Sequence, residues 1–258
     1  MHKVEIHYKR FGFNRHKKID VPERWDELNE HQFAVCAQIY TGNVSQTEFI
    51  RRFYGLPSHI MRKLSGYDAY KLADLADFAI SPDGSTNFFY LKEIAGLHAP
   101  ADRLSGITLE HFAIFDTAFF DYVNKPGPDT LIRFVSMLYT RPGEEITRID
   151  FDKRIKLVEK RARLSDCHAI FLNYIFIHRW LAGSFPFLFE EKEDDQEVKP
   201  RDKQEVKPAK PINPNWNLII ENFVGEDVIN YNKYIKMPAI IAFKTINRRI
   251  KTLRKNGK

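Results

Sequence analysis

The sequence predicts a mainly α-helical protein, with an N-terminal β-hairpin followed by a helical bundle, a flexible linker and a C-terminal helical segment. Three observations carry this reading. Apolar residues alternate at period two at the N-terminus, and from residue 23 to 189 they recur at helical spacing between short turns. Residues 190–214 then lose nearly all apolar side chains before the helical pattern returns. The expected division is 1–22 hairpin, 23–189 helical body, 190–214 charged, Pro-containing linker, and 215–258 C-terminal helical unit.

In "KVEIHYKRFG" Val4, Ile6 and Tyr8 alternate with polar residues, and "NRHKKIDVP" supplies a second strand after a turn around Gly12-Phe13-Asn14. "ERWDELNEHQFAVCAQIY" reads as one helix with Trp25, Leu28, Phe33, Cys36, Ala37 and Tyr40 on its apolar face. Ser45 and Glu48 form a capping box for "SQTEFIRRFYG". A short helix follows, closed by Gly66, and then one bearing Tyr67, Tyr70, Leu75 and Phe78. "SPDGSTNFFYL" interrupts, with Phe88 to Leu91 as a strand or strand-like cover. Thr108 opens a helix whose Phe112, Phe115, Phe119 and Tyr122 share a face; Asp129 is the expected cap of the next helix and Asp152 of the one after. A long aromatic helix starts near Asp166.

The 43% apolar content, with 21 Phe and 11 Tyr, suffices for a packed core and excludes a disordered chain. Cys36 and Cys167 have no metal-ligand spacing and read as buried thiols of a reducing compartment. "MHKVEIHYKRFGF" lacks the apolar core of a signal peptide. The most apolar run, residues 167–189, is interrupted by Asn173, His178, Arg179 and Pro186, so a core helix is expected, not a membrane span. The expected location is cytoplasmic.

Catalytic signatures fail on inspection. There is no phosphate-binding glycine loop, HExxH or GxSxG. Asp83 invites comparison with metal-dependent nucleases, but the nearby Tyr90-Leu91-Lys92 lacks the second carboxylate. Asp150 and Asp152 alone make a poor cation site. Glu110 and His111 are adjacent and so point apart on a helix, which leaves His111 as a surface or half-buried residue. His168 and His178 lie about 80° apart on the wheel and read as satisfied core or interface histidines. No catalytic, cofactor or metal residue is expected.

Charge is uneven. Residues 229–258 hold nine Lys or Arg and no acid, so with a net charge of +6 the first 228 sum to −3 and the basic character belongs to the tail. Between these regions "QEVKP" occurs twice, at 196–200 and 204–208, in a segment too polar to offset its ordering entropy. The C-terminal unit has Trp216, Ile219, Ile220 and Phe223 on one short helix, then a basic amphipathic helix with Phe243, Ile246 and Ile250 on its apolar stripe. Three uses stay open. Arg248, Arg249, Lys251, Arg254 and Lys255 could neutralise nucleic-acid phosphates. The apolar residues could dock a protein partner. The stripe could also pack back on the body.

The hairpin, then "VPERWDELNEHQF", "DTLIRFVSMLYTRPGEE" and "NWNLIIENFVGEDVINYNKYIKMP", occur in an order that resembles tail-gene-encoded, tail-assembly-chaperone-like proteins of Bacteroidota phages and prophages. The resemblance implies a non-enzymatic role without cofactor: assisting tail assembly by binding a tape-measure-like tail protein through helical surfaces. The segment 190–214 would then tether residues 215–258 as a searching arm at an effective concentration on the order of millimolar.

Overall fold

The computed structural model describes residues 2–40, 42, 44–79, 83–189 and 214–256. Residues 190–213, on which the linker expectation falls, lie outside the described residues, as do Pro82 and Lys258. The elements are β1 (His2–Arg10), β2 (Phe13–Val21), α1 (Glu30–Tyr40), α2 (Gln46–Phe53), α3 (Ser58–Met61), α4 (Gly66–Leu75), β3 (Glu93–Ile94), β4 (Leu97–His98), α5 (Leu109–Asn124), α6 (Pro128–Leu138), α7 (Phe151–Arg161), α8 (Leu164–Ser184), α9 (Trp216–Val224), α10 (Tyr231–Ile235) and α11 (Ala239–Asn256). The protein is mainly helical, with an antiparallel N-terminal hairpin and a C-terminal helical segment, as the sequence predicts.

In the N-terminal hairpin Arg10 pairs with Phe13, so the turn is Phe11-Gly12, not the expected Gly12-Phe13-Asn14. Both turn residues have positive φ, 52° and 78°, the twist that a two-residue hairpin connection requires. Gly12 adopts it freely; Phe11 carries a Cβ there at a cost of about 1–2 kcal/mol. Val4, Ile6, Ile19 and Val21 bury one face of the ribbon against the helices.

The helix expected over 23–40 is two pieces, a 3-10 turn at Trp25–Glu27 and α1 from Glu30. Asn29 makes the break. Its Oδ1 accepts from the Gln32 amide at 2.9 Å while Gln32 Oε1 accepts from the Asn29 amide at 3.1 Å, a reciprocal cap. Ser45 accepts from the Glu48 amide as predicted, but the Glu48 carboxylate takes Arg51 instead of closing the box. Gly66 is the first residue of α4, capped by Ser65, not the end of α3. Tyr67 and Tyr70 stand exposed beside it.

Phe88 to Leu91 cover the core without joining a strand. Asn173 of α8 does the pairing that a neighbouring strand would do. Its Oδ1 accepts from the Tyr90 amide at 2.7 Å and its amide donates to the Phe88 carbonyl at 3.0 Å. Upstream, the backbone at Gly84 approaches α8 so closely that an added Cβ would stand 2.3 Å from the Phe176 ring. Thr108 caps α5. α6 is preceded by Gly127 and starts with Pro128, which places Asp129 inside the first turn. Asp150, not Asp152, caps α7, accepting from the Lys153 amide at 3.1 Å.

α1, α5, α6 and α8 form the centre of the bundle, with α2 and α7 packed on its flanks. Residues 214–256 share its core. Phe243 is fully buried, with ring centroids of Phe112 at 4.7 Å, Phe189 at 5.2 Å and Phe185 at 5.7 Å. The junction is also backbone-bonded: the Leu109 amide donates to Met237 O at 2.9 Å and the Ala239 amide to Ile107 O at 2.8 Å. Asn247 Oδ1 accepts from the amides of Phe187 and Leu188, where the chain leaves α8. The boundary drawn between body and C-terminal unit is therefore not a boundary of the core.

Both thiols are buried, and burial pushes Cys36 up and Cys167 up to about 12. Phe243→Ala should lower the unfolding free energy of the whole protein by about 3–5 kcal/mol. Urea unfolding followed by circular dichroism should show one transition moved as a unit; an unchanged main transition with a separate weak one would mean an independent C-terminal domain.

Candidate functional site

Asp116 lies on the apolar stripe of α5, four residues after Phe112 and three before Phe119. It is fully buried, and each of its oxygens is used. Oδ1 accepts from the Tyr174 hydroxyl at 2.7 Å and from His178 Nε2 at 2.6 Å, two side chains one turn apart on α8. Oδ2 accepts from the Trp216 indole at 2.6 Å. Burial, reinforced by the Asp116 charge, holds the Tyr174 hydroxyl well above its ordinary value, so it remains a donor. His178 stacks on Phe119 with centroids 5.1 Å apart. The cluster has the look of an acid/base triad, with Asp116 fully buried and His178 only 19% exposed, and it binds α5, α8 and α9 together.

His111 is buried, deeper than the sequence reading placed it, and its Nε2 donates to the Met137 carbonyl at 2.9 Å. A carbonyl only accepts, which fixes the proton on Nε2 and makes His111 an α5–α6 tie. His168 bonds the Leu164 carbonyl of its own helix. Lys92 pairs with Asp102 at 3.0 Å, and Asp83 stands exposed. Among the described residues no three His, Cys, Asp or Glu side chains gather to hold a metal ion, and no helix is long and apolar enough to cross a membrane. A cleft of about 800 Å³ lies among His31, Arg52, Glu93, Arg161, Arg163 and Asp166. Three of its groups are held in place: His31 bonds the Arg52 carbonyl, Arg52 donates to Gln38, and Arg163 pairs with Asp166.

The expected partner-binding residues are mostly core. Trp216, Ile220, Phe223, Phe243 and Ile246 are buried, and Ile219 and Ile250 are half-buried against them. The stripe packs back on the body, because Asp116 and the ring cluster around Phe112 give it a better environment than water.

The expected phosphate-binding residues divide. Arg249 donates to the Phe223 carbonyl at 2.7 Å, closing the end of α9. Arg254 lies over the Phe187 ring at 5.5 Å, and Lys251 approaches the same ring at 5.8 Å. All five are exposed; Arg248, Lys251 and Lys255 line up with Lys244 at i, i+4, i+7, i+11 spacing. Helical geometry puts this row on one face, roughly opposite buried Ala242, Phe243 and Ile246. α11 contains no acid.

No family model matches the chain, and neither a curated protein nor a solved structure does.

Asp116 escaped the sequence reading although its signal was there: a carboxylate between phenylalanines of one stripe must be buried and must find donors. Asp116→Asn turns an amide N–H toward fixed donors and should cost about 2–4 kcal/mol. Trp216→Phe, which removes one donor, should cost about 1–2 kcal/mol in the same urea titration. Equal stability of Asp116→Asn and wild type would remove Asp116 from this role.

Burial lowers the His111 pKa below its ordinary 6.5, so the folded protein keeps it neutral while the unfolded chain takes up a proton. Its stabilising contribution is complete above about 6.5 and shrinks as pH falls toward the folded value, by at most about 1.4 kcal/mol per pH unit. His111→Gln should flatten the urea-unfolding free energy between about pH 7 and pH 5.

Proposed function

We propose that the protein is a non-enzymatic nucleic-acid-binding protein that meets the phosphate backbone with the outer face of α11. The observation that supports this is the cation row Lys244, Arg248, Lys251 and Lys255, exposed on a helix whose opposite face is locked into the core. A flexible basic tail loses conformational entropy when it binds; a helix already held by Phe243 and Ile246 does not. The row spans about 16 Å along the helix. Phosphates follow one strand of a duplex at about 3.4 Å of axial rise, so several fall within its reach. In this reading the protein works in the cytoplasm, where nucleic acid is available to it.

A second reading keeps the tail-assembly role, in which the protein binds a long helical, tape-measure-like tail protein of a phage or prophage. One observation favours it. Ile229 is 98% exposed, with Val228 beside it at 69%, an uncovered apolar turn in the C-terminal unit. That turn, and not the buried set around Trp216, would meet the partner.

Fluorescence anisotropy with a labelled duplex across a salt series separates the two readings. Four phosphate contacts give log K against log salt a slope of about −3 to −4. Replacing Lys244, Arg248, Lys251 and Lys255 together by Gln should abolish most of that slope with little change in thermal stability, since all four side chains are exposed and only Lys251 gives up a ring contact, with Phe187. Binding indifferent to the four substitutions, with a long helical protein retained from nuclease-treated lysate and lost in Ile229→Ser, favours the second reading.

A further inference from the structure

The outer half of the N-terminal hairpin carries a second concentration of positive charge. Residues 9–18 read KRFGFNRHKK, with five Lys or Arg and no acid. Lys9, Arg15, His16 and Lys18 are exposed. At the tip Phe11 is 82% and Phe13 67% exposed.

Lysines along an unpaired strand edge guard against edge-to-edge association, which accounts for Lys17 and Lys18 on β2. It does not account for two phenylalanines at the tip, which work against that purpose. Phe11 also occupies a positive-φ position, φ 52°, in a turn that Asn-Gly fits without strain. An apolar ring held largely in water at a strained backbone position is costly for the fold, and such outliers collect where the surface meets something else. The stalk beneath the tip is fixed: Val4, Ile6, Ile19 and Val21 are buried, Tyr8 bridges Leu64, and the His7 amide donates to Asp68 Oδ2 at 3.0 Å.

We propose that this tip is a second nucleic-acid contact and that it takes unpaired bases, with Phe11 and Phe13 stacking on base faces while Lys9, Arg15 and Lys18 meet the flanking phosphates. Phenylalanine has no donor or acceptor to read a base edge. It offers a ring face, which suits stacking that is tolerant of sequence. A duplex hides those base faces within its own stack, so the class of ligand is single-stranded nucleic acid, DNA or RNA. The proposal rests on the nucleic-acid reading given for α11 and adds to it a preference for unpaired strands.

The test is anisotropy of the full chain with labelled oligothymidylate and oligouridylate of about 20 nucleotides, an abasic strand of equal length, and a matching duplex. Wild type should bind the base-bearing strands more tightly than the abasic one. The double variant Phe11→Asn, Phe13→Thr should weaken base-bearing strands by at least about fivefold, leave the abasic strand nearly unchanged, and melt no lower than wild type. Equal affinity of wild type for thymidylate and abasic strands, or an unaffected double variant, overturns the proposal. A double variant like wild type, with binding lost in the four α11 substitutions, leaves the α11 reading standing; the reverse pattern leaves the hairpin contact alone. Binding to no strand overturns both, and phosphatidylserine vesicles bound through Phe11 and Phe13 in place of thymidylate assign the tip to lipid.

Discussion

A carboxylate taken out of water must find donors inside the protein, and Asp116 finds three. They come from residues 58, 62 and 100 positions away, on α8 and α9. Such a group contributes little net stability, because desolvation offsets much of what its hydrogen bonds return, but it is unforgiving of misplacement. α5 and α8 can slide only if Tyr174 and His178 let go, and α9 can lift only if the Trp216 indole leaves Oδ2 without a donor. The aromatic rings supply the bulk of the attraction at this junction and Asp116 supplies its register.

That constraint reaches the surface through α11. With Trp216 held at Asp116 and Phe243 set among Phe112, Phe185 and Phe189, the apolar side of α11 has one orientation. Its cations are sorted accordingly: Arg249 is turned back to the end of α9, and Lys244, Arg248, Lys251 and Lys255 face outward. The hairpin is another basic surface, with a strained aromatic turn on a ribbon anchored by Val4 and Ile6. Neither stretch, residues 9–18 nor residues 229–258, contains an acidic side chain, so neither repels a polyanion with a charge of its own.

Much of the fold was legible where the deciding chemistry is local. Ser45 and Thr108 announce their helices because a cap needs only its own side chain and an amide three residues on. The same locality explains the near misses. Asn29 and Gln32 are a reciprocal cap inside a run whose apolar spacing suggests one longer helix, and Asp150 stands two residues from an equally plausible Asp152. The candidate surfaces were half legible. The basic helix was plain from composition, but the charge of KRFGFNRHKK was averaged away in a body that sums to −3.

The sequence by itself determined the helical class, the N-terminal hairpin, most helix starts and the presence of a basic amphipathic helix, because each follows from periodicity or from contacts within about four residues. Only the tertiary structure decided where the C-terminal apolar stripe goes, which cations find partners on the protein, and that Asp116, Asn173 and His111 are ties. An apolar stripe says that a face must be buried, not against what. Hydrogen bonds spanning 58 to 100 residues leave no local trace in the chain, since their partners become neighbours only after the core has formed.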